Sequence, residues 1–376
     1  ANTVLTYLDR ATKKTDDYWE QTRPVPLQQE EVTDYKKKDS LEKARKDPRY
    51  LDSIDRKRNK LNPLGILATG QSFGNSKKRI SYVVPPVLEM INFNTVEGWV
   101  INFSPTFFKK IDTTLLGRRS LSITPAFRYG FSNQHFNPSL SAHYNFGKKF
   151  SNSLFIAGGK KIFQLNNDAP ITPRENTFSS LMWERNYMKI YEAGFGRLGF
   201  SKMLDEGFSG SLVFEYQDRL PLENSTNFSW KNREGVTFSP NYPAEIMTEN
   251  FKRHQAFSAT LSVGWQPGNR YIEFPGRKMS IGSKYPHFSV SITKGFKDIL
   301  SSDINYAKWK FSIGDNLNLR LAGRFSYKIS IGGFLNKDSV NIQDYIHFNG
   351  NRLFTAAPYL KSFQLAPYYR YSNTQK

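Results

Sequence analysis

The stretch "SLSITPAFRYGF", residues 120–131, decides how this chain is read. Leu121, Ile123, Phe127, Tyr129 and Phe131 share one parity, and Ser122, Thr124, Ala126, Arg128 and Gly130 share the other. Period two is the signature of a strand with one apolar and one polar face. The question it raises is whether the apolar face meets a protein core or lipid.

The pattern recurs along the chain. "GWVINFSPTFF" (98–108) alternates through Trp99, Ile101, Phe103 and Phe107, and "FNPSLSAHYNFG" (136–147) through Leu140, Ala142, Tyr144 and Phe146. "GFSGSLVFEYQ" (207–217), "FSATLSVGW" (257–265), "HFSVSIT" (287–293) and "SFQLAPYYRYS" (362–372) follow. "LNLRLAGRFSYKISI" (317–331) keeps the alternation throughout and reads as one long strand. Roughly ten to twelve strands are expected. The longest connection is about 218–253, a polar, proline-bearing loop open to surface partners.

Three features favour lipid. Soluble strands average about 5–6 residues, whereas a tilted strand crossing the hydrocarbon layer needs about 9–11. The polar faces carry Ser, Asn, Gly, Thr, Gln and Arg, the filling of a wet barrel interior. Tyr and Trp cluster near strand ends (Trp99, Tyr144, Tyr216, Trp265, Tyr371), as interfacial girdles do. The expectation is an all-β fold: a transmembrane antiparallel β-barrel formed by residues 64–376, preceded by a charged helical segment, 1–63, that is periplasmic or plug-like.

Composition agrees. The 376 residues include 30 Phe and 20 Tyr, yet mean hydropathy is polar, as alternation produces. The most apolar run, "YVVPPVLEMI" (82–91), is too short for a membrane helix and carries Pro85 and Pro86. There is no cysteine, so disulfide frameworks and thiolate metal sites are excluded. Of the net charge of +20, residues 1–63 contribute only +3. Within 1–63, "PLQQEEVTDYKKKDSLEKARKD" (26–47) and "RYLDSIDRKRNK" (49–60) read as helices separated by Pro48.

Motifs for chemistry are weak. "GQSFG" (70–74) matches G-x-S-x-G around Ser72, but the apolar strand before it and the helix after it are missing. "GFGRLG" (194–199) matches G-x-G-x-x-G, but Gly207 arrives before a helix of useful length. The five histidines (135, 143, 254, 287 and 347) show no ligand spacing, so no metal, cofactor or catalytic residue is expected. Asp344 and His347 could meet a cation. "DYIHFNGN" (344–351) reads better as a structured loop, with Asn349, Gly350 and Asn351 at its turn and Tyr345 and Phe348 packing it. Arg320, Arg324 and Lys328, spaced four apart on the long strand, form a candidate lumenal basic row. It serves either as an anion-attracting wall or as a structural network with acids such as Glu215.

The segments "YWEQTRPVPL" (18–27), "DSLEKARKDPRYLDSIDRKRNK" (39–60), "FNTVEGW" (93–99), "DYIHFNGN" (344–351) and "YLKSFQLAPYYRYS" (359–372) occur in the order seen in a family of outer-membrane proteins of Bacteroidota, which the chain resembles. Members carry an N-terminal carboxypeptidase-regulatory-like sandwich, a linking region and an outer-membrane barrel. The resemblance implies an outer-membrane location and this architecture, not a mechanism. The sandwich is absent here, and the family's barrel continues beyond "LAPYYRYS". The chain is therefore expected to be part of a longer protein whose barrel needs further strands or a partner.

The resulting expectation is a non-enzymatic scaffold or accessory subunit of an outer-membrane assembly, secretion or surface-display machine. Its partners would be the lipid bilayer, anionic outer-membrane glycolipid and other outer-membrane or periplasmic proteins. Nucleic acid is not among them, because no basic helix with interleaved aromatics or RNA-binding signature is present. The alternatives are a pore or transporter for anionic solutes and a soluble adhesion or carbohydrate-binding β-protein.

Overall fold

A computed structural model of the chain describes residues 3–8, 14–112, 119–231, 233–348, 350–351, 363–364 and 369. Strand β1 (Thr3–Thr6) is followed by helices α1 (Asp16–Thr22), α2 (Gln29–Lys46), α3 (Pro48–Arg58) and α4 (Pro63–Ala68). At the start of α3 the Asp47 carboxylate accepts from the Arg49 amide at 2.7 Å and Pro48 takes the first position. Arg56, Lys57 and Arg58 sit at its negative end. Together these fix a helix that propensity alone leaves marginal.

The body is one antiparallel sheet of 14 strands. It begins with β2 (Gln71–Asn75) and β3 (Ile80–Val84), then short helix α5 (Val87–Met90), β4 (Ile91–Asn94), β5 (Gly98–Phe103) and β6 (Thr106–Lys110). The long strands follow: β7 (Ser120–Gly130), β8 (Phe136–Phe146), β9 (Asn152–Gln164), helix α6 (Pro173–Trp183), β10 (Ile190–Met203), β11 (Phe208–Pro221) and β12 (His254–Trp265). After the small hairpin β13 (Arg270–Phe274) and β14 (Arg277–Gly282) come β15 (His287–Gly295), β16 (Asn305–Asn318) and β17 (Arg324–Ser339). Neighbours are sequential apart from the β13–β14 excursion and β4–β5, which pairs beside β7. The path ends at β17 and β2, and among the described residues no ladder joins them, so the sheet is not a closed barrel. No described helix is long and apolar enough to cross a membrane.

Three sequence readings need correction. The 317–331 stretch is not one strand: β16 ends at Asn318, Arg320–Ala322 form a turn, and β17 starts at Arg324. Arg320 (φ 56°) and Gly323 (φ 91°) are left-handed, and the Asn318 side chain accepts from the Arg320 amide at 3.0 Å. The alternation survives because Asn318 pairs with Arg324 and Leu317 with Phe325. Equal parity across the hairpin keeps odd residues on one face of both strands. Arg320 is therefore a turn residue, and only Arg324 and Lys328 share a strand. Next, 98–108 is two strands, broken before Thr106, which pair with opposite halves of β7. Pro105 lies in the break, where no ladder donor is needed. Finally, Asp218–Pro221 belong to β11, and the loop that follows is not a free surface: Ser229, Asn241 and Phe251 are buried.

Register carries the faces around the sheet. Leu121 pairs with Tyr144, then Leu154, Phe200, Leu212, Leu261, Ile292 and Trp309 in unbroken cross-strand succession over eight strands. At strand spacings near 4.8 Å this row is about 34 Å long. A second row runs Phe208, Trp265, Phe288, Ile313 and Ile329. Both are open to the surroundings: Leu154, Phe200, Leu261 and Ile292 are 41–50% exposed and Ile329 64%.

The two ends differ. Where β10 and β12 begin and β9, β11 and β17 end, loops and α6 build a compact cap around Val96, Leu165, Ile171, Met188, Tyr191, Leu222, Phe251 and Ile342. At the opposite end the turns are short, and β1 adds in parallel to β13, with Tyr7 stacked on Phe274 at 4.9 Å.

One edge is sealed from within. The Asn59 side chain, just past α3, donates to Gly74 O at 2.9 Å and accepts from Gly74 N at 2.7 Å, as a neighbouring strand would. Asp55 accepts from the Ser76 amide and hydroxyl, both at 2.7 Å. This covers the β2 edge, an otherwise adhesive row of backbone groups. Asn59→Ala is expected to cost about 1 kcal/mol and to accelerate amide exchange at Gly74 selectively. Unchanged exchange there would show that Asn59 does not seal the edge.

Candidate functional site

The polar face carries its densest chemistry beneath the cap. Arg219 on β11 and Asp344 in the 340–348 loop form a bidentate pair, Nη1 to Oδ2 at 2.6 Å and Nη2 to Oδ1 at 2.9 Å, with both side chains buried. The Tyr306 hydroxyl donates to Asp344 Oδ1 at 3.1 Å, and Lys308 Nζ donates to Asp344 O at 2.7 Å. Asp344 thus ties β11 to β16 across the two strands between them, β12 and β15. Arg219 Nε donates to Gln217 Oε1 at 2.8 Å, which also accepts from the Tyr191 hydroxyl at 3.0 Å. Gln217 Nε2 donates to Glu215, which faces Arg197 at 3.5 Å. His254 Nδ1 lies 2.9 Å from Lys252 O and Nε2 lies 3.4 Å from Arg219, so its tautomer is Nδ1–H.

The clamp's charges are compensated. Burial alone would raise the Asp344 carboxyl, but Arg219, Lys308 and the Tyr306 hydroxyl outweigh it and hold it below the usual carboxylate range. His347 donates through Nε2 to Ile342 O at 2.8 Å, and burial lowers its pKa to about 4, so it is neutral at pH 7. Asp344 is thus committed to a guanidinium, and Asp344 and His347 are not brought together on a cation. Among the described residues no cluster of three or more metal-ligating side chains occurs. Tyr345 packs against the cap core, and Phe348 is exposed. Gly350–Asn351 pair in parallel with Phe363–Gln364, while Asn349 and most of 362–372 lie outside the described residues.

A second knot holds the long loop. Helix α6 ends on Glu184 in the left-handed conformation (φ 55°, ψ 41°), a position glycine usually takes. A side chain is needed there because the Glu184 carboxylate accepts from Arg233 N at 2.8 Å, Arg233 Nε at 2.6 Å and Ser229 Oγ at 2.8 Å. These bonds, the Arg233 amide first, lower its pKa to about 2. Asn241 pins the loop's far half, donating to Ile190 O and Leu222 O, both at 2.7 Å. Under the 93–99 turn Glu97, wholly buried, accepts from Arg128 Nε at 2.8 Å.

Glu215 meets Arg197 and Gln217 rather than the basic row. Arg324 and Lys328 lie on the polar face of β17, in register with Asn318 and Gly314. Ser72 is inside β2, not on a strand-to-helix elbow, and "GFGRLG" is inside β10. Sequence reasoning missed Arg219, Tyr306, Lys308 and Glu184. The buried parity of Arg219 and Tyr306 was the one signal that marked them, since a charged or polar side chain next to the cap has to find a partner.

Removing one member of a buried pair strands the other, at about 3–5 kcal/mol. Asp344→Asn is expected to lose that much in urea unfolding, and Arg219→Met with Asp344→Leu together less than either alone. A double variant whose loss equals the sum of the two single losses would show that the clamp is not coupled. Glu184 acts in the acid range. Its folded pKa lies below the unfolded 4.5, so its contribution is complete above that value and fades as pH falls towards about 2. Pepsin is expected to cut residues 223–240 increasingly from pH 4.5 to 2, and Glu184→Gln equally across that range. A wild-type protein cut at one rate throughout contradicts this.

No curated protein and no solved structure matches the chain. A family model, the C-terminal domain of a family of unknown function (DUF5686), matches residues 64–376. That match takes in the whole 14-stranded sheet, the cap and the Arg219–Asp344 clamp, and the chain belongs to the DUF5686 family.

Proposed function

We propose that the chain is a bilayer-spanning wall of the bacterial outer membrane, working as a non-enzymatic scaffold or accessory subunit of an assembly, secretion or surface-display machine. The observation that carries this reading is the continuous apolar row from Leu121 to Trp309, exposed from Leu154 through Ile292 and half-buried at its ends, on strands of 9–14 residues. Water-soluble monomers rarely expose apolar patches beyond about 300–600 Å², and hydrocarbon is the solvent such a row suits. Strand length agrees with the roughly 9–11 residues a tilted crossing needs, and backbone groups satisfied in a ladder meet the demand lipid makes.

The scaffold reading rests on the clamped cap. The Arg219–Asp344 and Glu184–Arg233 contacts fasten loops over one end of the polar face, as suits a rigid support. Trp19 and Tyr35 on α1 and α2 remain exposed for a partner. A pore for anionic solutes is the second reading, favoured by Lys161, Arg197, Lys310, Arg324 and Lys328, which the register places on the polar face.

Spin labels at Leu261 and Ile292 on vesicle-reconstituted protein are expected to be relaxed by oxygen rather than by a water-soluble nickel chelate, with the reverse at Ser262. Nickel access at Leu261 would sink the bilayer-spanning wall. Detergent extraction is expected to recover a stable hetero-complex, whereas a lone monomer with anion-selective conductance in planar bilayers replaces the scaffold with the pore.

A further inference from the structure

The cap contains a cavity of about 320 Å³ between the segment leading into β10 and the long loop, lined by Asn186, Tyr187, Lys189, Ser239, Tyr242 and Glu245, among others. Its charged floor is Lys189, 5% exposed. An ammonium carries three donors. Two are used, on Asn186 O and Ser239 Oγ, both at 2.7 Å. Both acceptors are neutral, and the carboxylate in the same lining, Glu245, acts on it through space without an ion pair at contact distance. Arg219, Arg128 and Arg233 each meet a carboxylate directly, whereas Lys189, like Lys308, ends on neutral oxygens. A buried cation with no carboxylate in contact is costly, and this one borders an open space.

We propose that this cavity is a binding site for a monosaccharide-sized sugar acid, whose carboxylate takes the third donor of Lys189. The volume lies at the lower end of small-molecule sites and suits a single ring. Tyr187 and Tyr242 line the cavity and supply aromatic rings for that sugar, while their hydroxyls are engaged with Arg185 Nη1 at 3.1 Å and Thr248 O at 3.0 Å. Glu245 is an exposed member of the lining and is the acceptor for ring hydroxyls in this proposal. The site is independent of the membrane reading, since it is built entirely from cap residues.

Lys189 also gives the site a pH signature. The titratable groups around it are Tyr187, Tyr242, Tyr369 and Glu245. Burial lowers the Lys189 pKa from 10.5 to about 8, with Glu245 opposing. The ammonium is present below that value and lost above it, while a sugar carboxylate stays ionised throughout.

The test is calorimetry on the full chain in detergent with D-glucuronate, D-galacturonate and N-acetylneuraminate as probes, and D-glucose and acetate as controls. At least one acid is expected to bind saturably at pH 6.5 and about thirtyfold more weakly at pH 9.5. Lys189→Met is expected to abolish that binding without lowering the unfolding midpoint. Tyr242→Ala is expected to weaken it, and carries the test if Lys189→Met does not fold. Failure of all three acids at pH 6.5 overturns the proposal. So does binding that ignores both pH and the two substitutions, or acetate or glucose binding as tightly as the acids.

Discussion

Register is the constraint on which the rest depends. From β7 to β16 each strand is paired so that its apolar residues face those of the next. A one-residue slip in any ladder would send an apolar face among serines, threonines and lysines. Hydroxyl pairs on the polar side reinforce the register: Ser153 with Ser201 at 2.7 Å, Thr260 with Thr293 at 3.0 Å and Ser312 with Ser330 at 2.8 Å. The two faces specify each other, and the ladder satisfies the backbone groups that any apolar surroundings would leave unpaired.

Where the sheet needs more than ladders, the chain uses buried charge. The cap has an apolar centre, yet its attachments are ionic: Arg219 to Asp344, Arg233 to Glu184 and Arg128 to Glu97. Such pairs add little net stability, but they are geometrically selective, since a misplaced loop leaves a charge stranded. Glu184 shows the same priority on a smaller scale. It accepts a left-handed backbone that glycine would adopt more easily, because the carboxylate and not the turn holds the loop. Lys189 is a buried cap cation met by neutral oxygens.

The edges follow a different logic. The β2 edge is occupied by Asn59 and Asp55 from the N-terminal helical segment, so that segment is part of the sheet's architecture rather than an appended arm. The β17 edge, sixteen residues long, has no strand on its outer side among the described residues.

Local sequence determined the strands and their faces, because period two is imposed by the backbone on every extended segment. It also determined the helices flanking Pro48, through capping and charge placement. It could not reveal the turn at 319–323, because a hairpin pairing equal parities leaves the alternation unbroken across its own reversal. Nor could it find the partner of Asp344, which lies 125 residues away in a stretch that reads as the start of the long polar loop. It was the tertiary structure that decided the clamp, the pinned long loop and the neutral acceptors around Lys189. Each depends on which side chains distant segments bring together, and a periodic pattern holds no information about that distance.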